Sequence, residues 1–231
     1  SLASAEGLVL PHYFDLNKLY CPYNIKEEIM NNSKYLVKNY FDYKGKWSEL
    51  FGNNNPIYIE IGMGKGKFII ENAVMYPDIN FIGIEKFDSV ICKGLQKIPD
   101  GLNNLIMIRA DALDIDNIFD KEIDRIYLNF SDPWPKNRHH LRRLSSKVFL
   151  NKYASLFKND ASIFMRTDNR GLFQYSLVSF SENGYILRDL SLDLHKDDMP
   201  LITTEYEDKF SNLDMPIYFV ECTKDMSKSR K

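Results

Sequence analysis

Ile57-Tyr58-Ile59-Glu60-Ile61-Gly62-Met63-Gly64-Lys65-Gly66-Lys67 is the stretch that decides the fold. Its first five residues are an apolar run with a single acid, of a length that suits a buried strand. Glycines at alternate positions then make a turn that can take positive φ and let the backbone approach a ligand closely. A helical pattern follows at once, over Lys67–Tyr76. Strand, glycine turn and helix in this order open an α/β sheet, whose ligands bind at the carboxyl ends of the strands. The spacing excludes two common readings. Gly-x-Gly-x-Gly with Lys at position 67 breaks the dinucleotide fingerprint, and no Gly-Lys-Ser/Thr completes a phosphate loop. Glu60 stands two residues before the first glycine, where a carboxylate is ill suited to a pyrophosphate. It suits a ligand with a positive end or a set of hydroxyl and amino donors.

Downstream, apolar runs of strand length recur at Ile79–Ile84, Asn104–Ile108, Ile123–Phe130 and Ser162–Arg166. Helical patterns separate them. One covers Phe87–Leu95, with positions 87, 90, 91 and 95 on one stripe. Another follows Ser145-Ser146, good N-cap residues, and carries Val148, Phe149, Tyr153, Leu156 and Phe157. A third begins after Asn169 and ends near Gly184. The alternation predicts a mainly parallel sheet with helices on both faces. The last two runs, Tyr185–Leu190 and Ile217–Glu221, have no convincing packed helix between them and predict an antiparallel pair at one sheet edge. Upstream, residues 1–55 read as an arm plus one or two lead-in helices, with Asn53-Asn54-Asn55-Pro56 as the turn before the first strand and 56–231 as the main domain. Ser1–Gly7 are read as a partly non-native start.

Composition sets the outer bounds. A hydrophobic fraction of 44% and a charged fraction of 27% over 231 residues are ordinary for one large globular domain. The net charge of -2 gives no global signal for nucleic acid, but between Lys136 and Lys147 there are five Lys or Arg and no acid. Cys21, Cys92 and Cys222 are far apart and form no Cys-x-x-Cys pair, which predicts a reducing compartment with neither a disulfide framework nor a metal site. No apolar run approaches roughly 18 residues and no secretory signal is visible, so neither a membrane partner nor export is expected.

Two features carry the chemistry. Acids close three successive strands: Glu60, Glu85 in Gly83-Ile84-Glu85, and Asp111 in Arg109-Ala110-Asp111-Ala112. Glu85 falls where an acid bonding both ribose hydroxyls is expected, and Asp111 can reach an adenine amino group or merely cap a helix. Together with close approach at Gly62, Gly64 and Gly66, the three acids suit S-adenosylmethionine, which is cationic, ribose-bearing and free of phosphates. The second feature is Asn129-Phe130-Ser131-Asp132-Pro133-Trp134-Pro135-Lys136, running on through Arg138, His139, His140, Arg142 and Arg143. Prolines on both sides of Trp134 stiffen the loop, and the cations after it are ready for phosphate. Trp134 reads either as a buried corner or as a ring that stacks on a base, with the corner favoured.

These motifs resemble the bacterial tRNA (guanine-N7)-methyltransferases, as do Arg166-Thr167-Asp168 and Thr204-Glu205-Tyr206-Glu207. The resemblance implies a Rossmann-like class I methyltransferase fold with a mainly parallel seven-stranded sheet and an antiparallel edge strand. It also implies a cytoplasmic enzyme that uses S-adenosylmethionine to methylate N7 of guanosine 46 in the variable loop of tRNA. Carried over by motif, Glu60, Glu85, Asp111 and Asp132 bind the cofactor, and Asp132 is also the catalytic acid. Lys136, Asp168, Thr204, Glu205, Tyr206 and Glu207 contact substrate, and Arg138, His139, His140, Arg142 and Arg143 touch RNA. No metal and no obligate protein partner are expected, and a monomer and a homodimer stay equally open. The chain departs from the family's habit in lacking a Lys/Arg-rich arm before Lys18 and in carrying Leu141 where a basic residue is common.

The chemistry is consistent with this. Guanine N7 carries a lone pair and no proton, so methylation there needs no general base. Catalysis comes from holding N7 about 3 Å from the methyl carbon and from a carboxylate that stabilises positive charge moving into the purine. Asp132 and Asp168 are both candidates, assigned to catalysis and to holding the base respectively. Thr204–Glu207 also fits an N-terminal capping box. The alternatives are a methyltransferase of the same fold acting on another RNA, and a catalytically silent RNA-binding subunit.

Overall fold

The computed structural model describes residues 23–197, 202–210 and 215–227. The expectations for Ser1–Gly7, the arm before Tyr23 and Cys21 lie outside the described residues. Parallel strands covered on both faces carry apolar side chains on both, and the Ile-rich runs form such strands. They are β1 (Ile57–Ile61), β2 (Asn80–Glu85), β3 (Leu105–Arg109), β4 (Arg125–Asn129) and β5 (Ala161–Thr167). With β6 (Ile186–Ser191) and β7 (Tyr218–Lys224) they make one seven-stranded sheet in the order β3-β2-β1-β4-β5-β7-β6. The antiparallel strand is β7, which sits between β5 and β6, so the outermost strand β6 runs parallel to the other five. The expected pair is therefore at the edge, but its antiparallel member lies one place in.

Strand order reverses between β1 and β4, which opens a crevice at their carboxyl ends. Around it stand α1 (Tyr23–Asn32), α2 (Trp47–Phe51), α3 (Lys67–Met75), α4 (Asp88–Leu95), α5 (Ile115–Ile118), α6 (Lys147–Tyr153), α7 (Arg170–Glu182) and α8 (Glu205–Phe210). Side chains alternate across the sheet with the period of two that strands impose. Ile57, Ile59 and Ile61 of β1 join a core with Trp47, α5, α6 and α7, while Tyr58 faces the core made with α3 and α4. The lead-in segment packs onto the domain: Trp47 is fully buried and its Nε1–H donates to Ile118 O at 3.0 Å.

Local signals were met unevenly. Asn169 caps α7 by accepting from Leu172 N at 2.8 Å, and Gly184 closes it with φ 80°. Ser146 stands at the N-cap of α6, yet its hydroxyl donates to Leu141 O instead of capping. Phe87 precedes α4 and is 62% exposed, so it leaves the buried stripe assigned to it; Ile91, Cys92 and Leu95 form that face. β4 ends at Asn129 because Phe130 turns to φ 50°.

Candidate active site

Gly62, Gly64 and Gly66 all hold positive φ (78°, 59° and 77°), which side-chain-bearing residues adopt only under strain. The turn they make is pinned to β2. Gly62 N and Met63 N both donate to Ile84 O, and Gly64 N donates to Glu85 Oε2 at 3.1 Å. The other Glu85 oxygen accepts from Lys86 N and Phe87 N. Glu85 thus shapes the turn with the carboxylate that sequence assigned to ribose. Asp111 is likewise committed: it accepts from Leu113 N at 3.0 Å and pairs with Lys86 Nζ at 2.6 Å. Partial burial works to raise its pKa, but the Leu113 N–H and Lys86 outweigh that and hold the carboxyl below the usual range.

Glu60 is different. It is 2% exposed, and its Oε1 accepts from Asn129 Nδ2 at 2.8 Å across the β1–β4 crevice. Its Oε2 and Asn129 Oδ1 are buried with no hydrogen-bond partner among the described residues. Burial pushes the Glu60 carboxyl up to about 8, against the lowering pull of Asn129 and Arg166. Two unpaired acceptors on hydrogen-bonded neighbours fit a donor-rich cation, since buried polar groups are otherwise nearly always paired. They line a cleft of about 290 Å³ with Gly62, Gly64, Lys67, Phe130, Thr204, Glu205 and Tyr206. A larger groove of about 520 Å³ lies along the sheet face between Tyr58 and Phe219, but it is lined by aromatic rings, Arg125 and Arg166 and holds no carboxylate. That groove does not suit a cation. The smaller cleft does.

The loop after β4 is strained at two bulky residues, Phe130 (φ 50°) and Trp134 (φ 42°). Phe130 N donates to Arg166 O at 2.9 Å, which fixes where the loop departs. Trp134 is half-buried, edge-on to His139 at 5.8 Å and beneath the Arg142 guanidinium at 5.0 Å. Arg143, which the sequence assigns to RNA contact, turns inward. It is only 9% exposed, with Nε donating to Pro133 O at 2.9 Å, Nη2 to Trp134 O at 3.1 Å, and the guanidinium over the Tyr175 ring. It clamps the loop. His140 is turned to the same task, its Nδ1 lying 2.7 Å from Asn137 O. Asp132, Lys136 and Arg138 are exposed, and their side chains have no ionic or hydrogen-bonding partner among the described residues.

The segment from Ile202 into α8 closes the cleft from the other side. Glu207 N donates to Thr204 Oγ1 at 3.1 Å and Thr204 N to Glu207 Oε2 at 2.6 Å, a reciprocal capping box. Around that box the segment is latched by side chains. Lys67 Nζ binds Asp208 Oδ2 at 2.5 Å and Thr203 Oγ1 at 2.6 Å, and Lys97 pairs with Glu205. Tyr206 stacks on Phe130 at 4.7 Å and donates its hydroxyl to Asp168 Oδ2 at 2.9 Å. The structure therefore brings Asp168, Phe130 and Thr204–Glu207 together beside Glu60, while Glu207 itself is 1% exposed and faces inward. Sequence reasoning missed Asn129, Lys67 and Arg166 as members of the site. Each gains its role from a partner distant in the chain; Asn129 and Arg166 stand within the quoted motifs, but nothing local tells what they bind.

Among the described residues no three His, Cys, Asp or Glu side chains cluster as a metal site, and no helix is long and apolar enough to cross a membrane. Residues 54–220 match a family model described as "Putative methyltransferase". The tRNA (guanine-N(7)-)-methyltransferase of Bacillus velezensis is 51% identical over 84% of this chain and 90% of its own, and that of Bacillus subtilis is 50% identical over 84% and 92%. Among solved structures, an "Antibiotic Related Methyltransferase" superposes with a TM-score of 0.59 at 19% identity, covering 78% of this chain and 93% of its own. A 16S rRNA (adenine(1408)-N(1))-methyltransferase from Catenulisporales acidiphilia, solved with SAM, gives 0.54 at 10% identity, covering 78% and 91%. At these identities the two structures speak to the fold alone.

Proposed function

The chain belongs to the tRNA (guanine-N7)-methyltransferase family, and from that premise we propose that it methylates N7 of guanosine 46 in the variable loop of cytoplasmic tRNA, with S-adenosylmethionine as donor. The observation that carries the reading is the pair of orphaned acceptors, Glu60 Oε2 and Asn129 Oδ1, at the floor of a cleft roofed by Tyr206. An α-ammonium group supplies the donors they lack, and the alternate glycines leave room for a ligand to lie against the turn. When bound, S-adenosylmethionine supplies an electrophilic methyl on a sulfonium centre.

The remaining work falls to the chain. Asp132, exposed two residues after the cleft-lining Phe130 and without a side-chain partner among the described residues, stabilises positive charge entering the purine ring. Asp168 and Tyr206, already hydrogen-bonded to each other, offer an acceptor and a ring to the Watson–Crick edge and face of the guanine. Lys136, Arg138 and Arg142 give the phosphates a cationic rim, while Arg143 keeps that rim in register by holding the Pro133 and Trp134 carbonyls. No group is required to take a proton from N7.

The test is methyl transfer from labelled S-adenosylmethionine to unmodified tRNA transcripts with and without guanosine 46, mapped by borohydride-aniline cleavage at N7-methylguanosine. A cut at that position, dependent on the guanosine, supports the reading; label at another position or on another RNA replaces it.

A further inference from the structure

Arg166, one residue before the end of β5, touches three parts of the site. Its backbone oxygen accepts from Phe130 N at 2.9 Å, setting the exit of the strained loop. The residue is 7% exposed, and its guanidinium packs on the Phe68 ring, donates from Nη1 to Ile202 O at 2.7 Å, and lies 3.5 Å from Glu207 Oε2. Its charge also acts on Glu60, which Asn129 of β4 and Glu85 of β2 flank from the other strands. One buried cation thus stands between the acid that faces the cofactor cleft and the acid that caps the segment over it. Breaking such a pair leaves a charge in the interior, and both contacts are made by one atom, Nη1, at the far end of a planar group that a lysine stem does not reproduce.

We propose that Arg166 is a positioning residue for the methylation reaction, setting where Thr204–Tyr206 stand over the cleft through Ile202 O and Glu207. The proposal rests on the functional reading above. Two properties of the side chain can be told apart: any positive charge there acts on Glu60, but the hold on the 202–207 segment needs the reach of Nη1.

Arg166→Lys and Arg166→Met separate them, with two readouts: the apparent tRNA constant at saturating cofactor, and cofactor affinity between pH 6 and 9. Arg166→Met is expected to raise the tRNA constant by about tenfold or more, the worth of one charge-assisted hydrogen bond, and to move the acid limb of cofactor binding to higher pH. Arg166→Lys is expected to leave that limb in place and still raise the tRNA constant. A Met variant that keeps the wild-type tRNA constant overturns the proposal. So does an equal displacement of both readouts in both variants, as a general loss of packing would give. If the Met variant does not fold, Glu207→Gln keeps an acceptor for Thr204 N and removes the charge facing Arg166, and the same rise in the tRNA constant is required of it. A wild-type enzyme that methylates no tRNA overturns the functional reading instead, and the cofactor limb then decides the Glu60–Arg166 link alone.

Discussion

Cofactor affinity should pass through a maximum near pH 8. The Glu60 carboxyl, pushed up to about 8 by burial, must be ionised to hold an ammonium, and the orphaned Oε2 has no other donor to replace it among the described residues. A free α-amino group has a pKa of about 7.7–8.0, so the two halves of the pair titrate in the same range. At pH 6 roughly 1% of Glu60 is ionised while the ammonium is intact; at pH 8 each is about half in its binding form; by pH 10 the amine is neutral. The product of the two fractions makes affinity about 20-fold weaker at pH 6 than at pH 8, with a similar fall toward pH 10. Isothermal titration calorimetry in buffers of different ionisation enthalpy measures this directly. Near pH 6.5, binding should release about one proton, and Glu60→Gln should abolish both that release and the acid limb. An affinity that stays flat between pH 6 and 8, with no proton released, would refute the assignment of Glu60 to the cation.

The same substitution should stabilise the fold. A carboxyl whose folded pKa is raised from 4.5 to about 8 contributes fully below 4.5 and loses that contribution as pH rises through 8, on the order of 5 kcal/mol in all, so Glu60→Gln should raise Tm at pH 8 and flatten its pH dependence. Asp132→Ala should abolish turnover with unfolding free energy changed by no more than about 0.5 kcal/mol, since the carboxylate is exposed; near-normal turnover would remove it from catalysis. Arg142→Ala should raise the tRNA constant and lower its salt dependence by about one phosphate contact, whereas Arg143→Ala should reduce turnover and leave the salt slope unchanged, as a filter-binding titration would show. Gly83→Ala would drive a methyl into Met63 Sδ beneath the glycine turn, and cofactor affinity should fall more than tRNA affinity.

Most of the architecture was legible because burial on both faces leaves a plain mark: β1 to β5 are nearly continuous apolar runs, and turn residues bound them. The place of β7 was not legible. It depends on which sheet edge remains open after five strands have assembled, a tertiary matter. The site divides the same way. Glu60 stood out because an acid inside an apolar strand is anomalous wherever it sits. Arg143 looked like its neighbours in the basic run and turned inward, because the carbonyls of Pro133 and Trp134 needed donors that only the folded loop reveals. Lys67 was read only as the residue that spoils a glycine fingerprint, and its pairing with Asp208 joins segments far apart in sequence.

That pairing bears on how RNA contacts are counted. Lys67–Asp208 and Lys97–Glu205 are both partly exposed, with side chains 24% to 48% accessible, so added salt screens them as it screens phosphate contacts. The fall of tRNA affinity with salt therefore contains an internal part, the loosening of the protein's own roof, besides the counterions displaced from the RNA. A count of phosphates taken from the slope alone would come out too high. The internal part is what remains of the salt effect when Asp208→Asn and wild type are compared, because the former has one latch already undone.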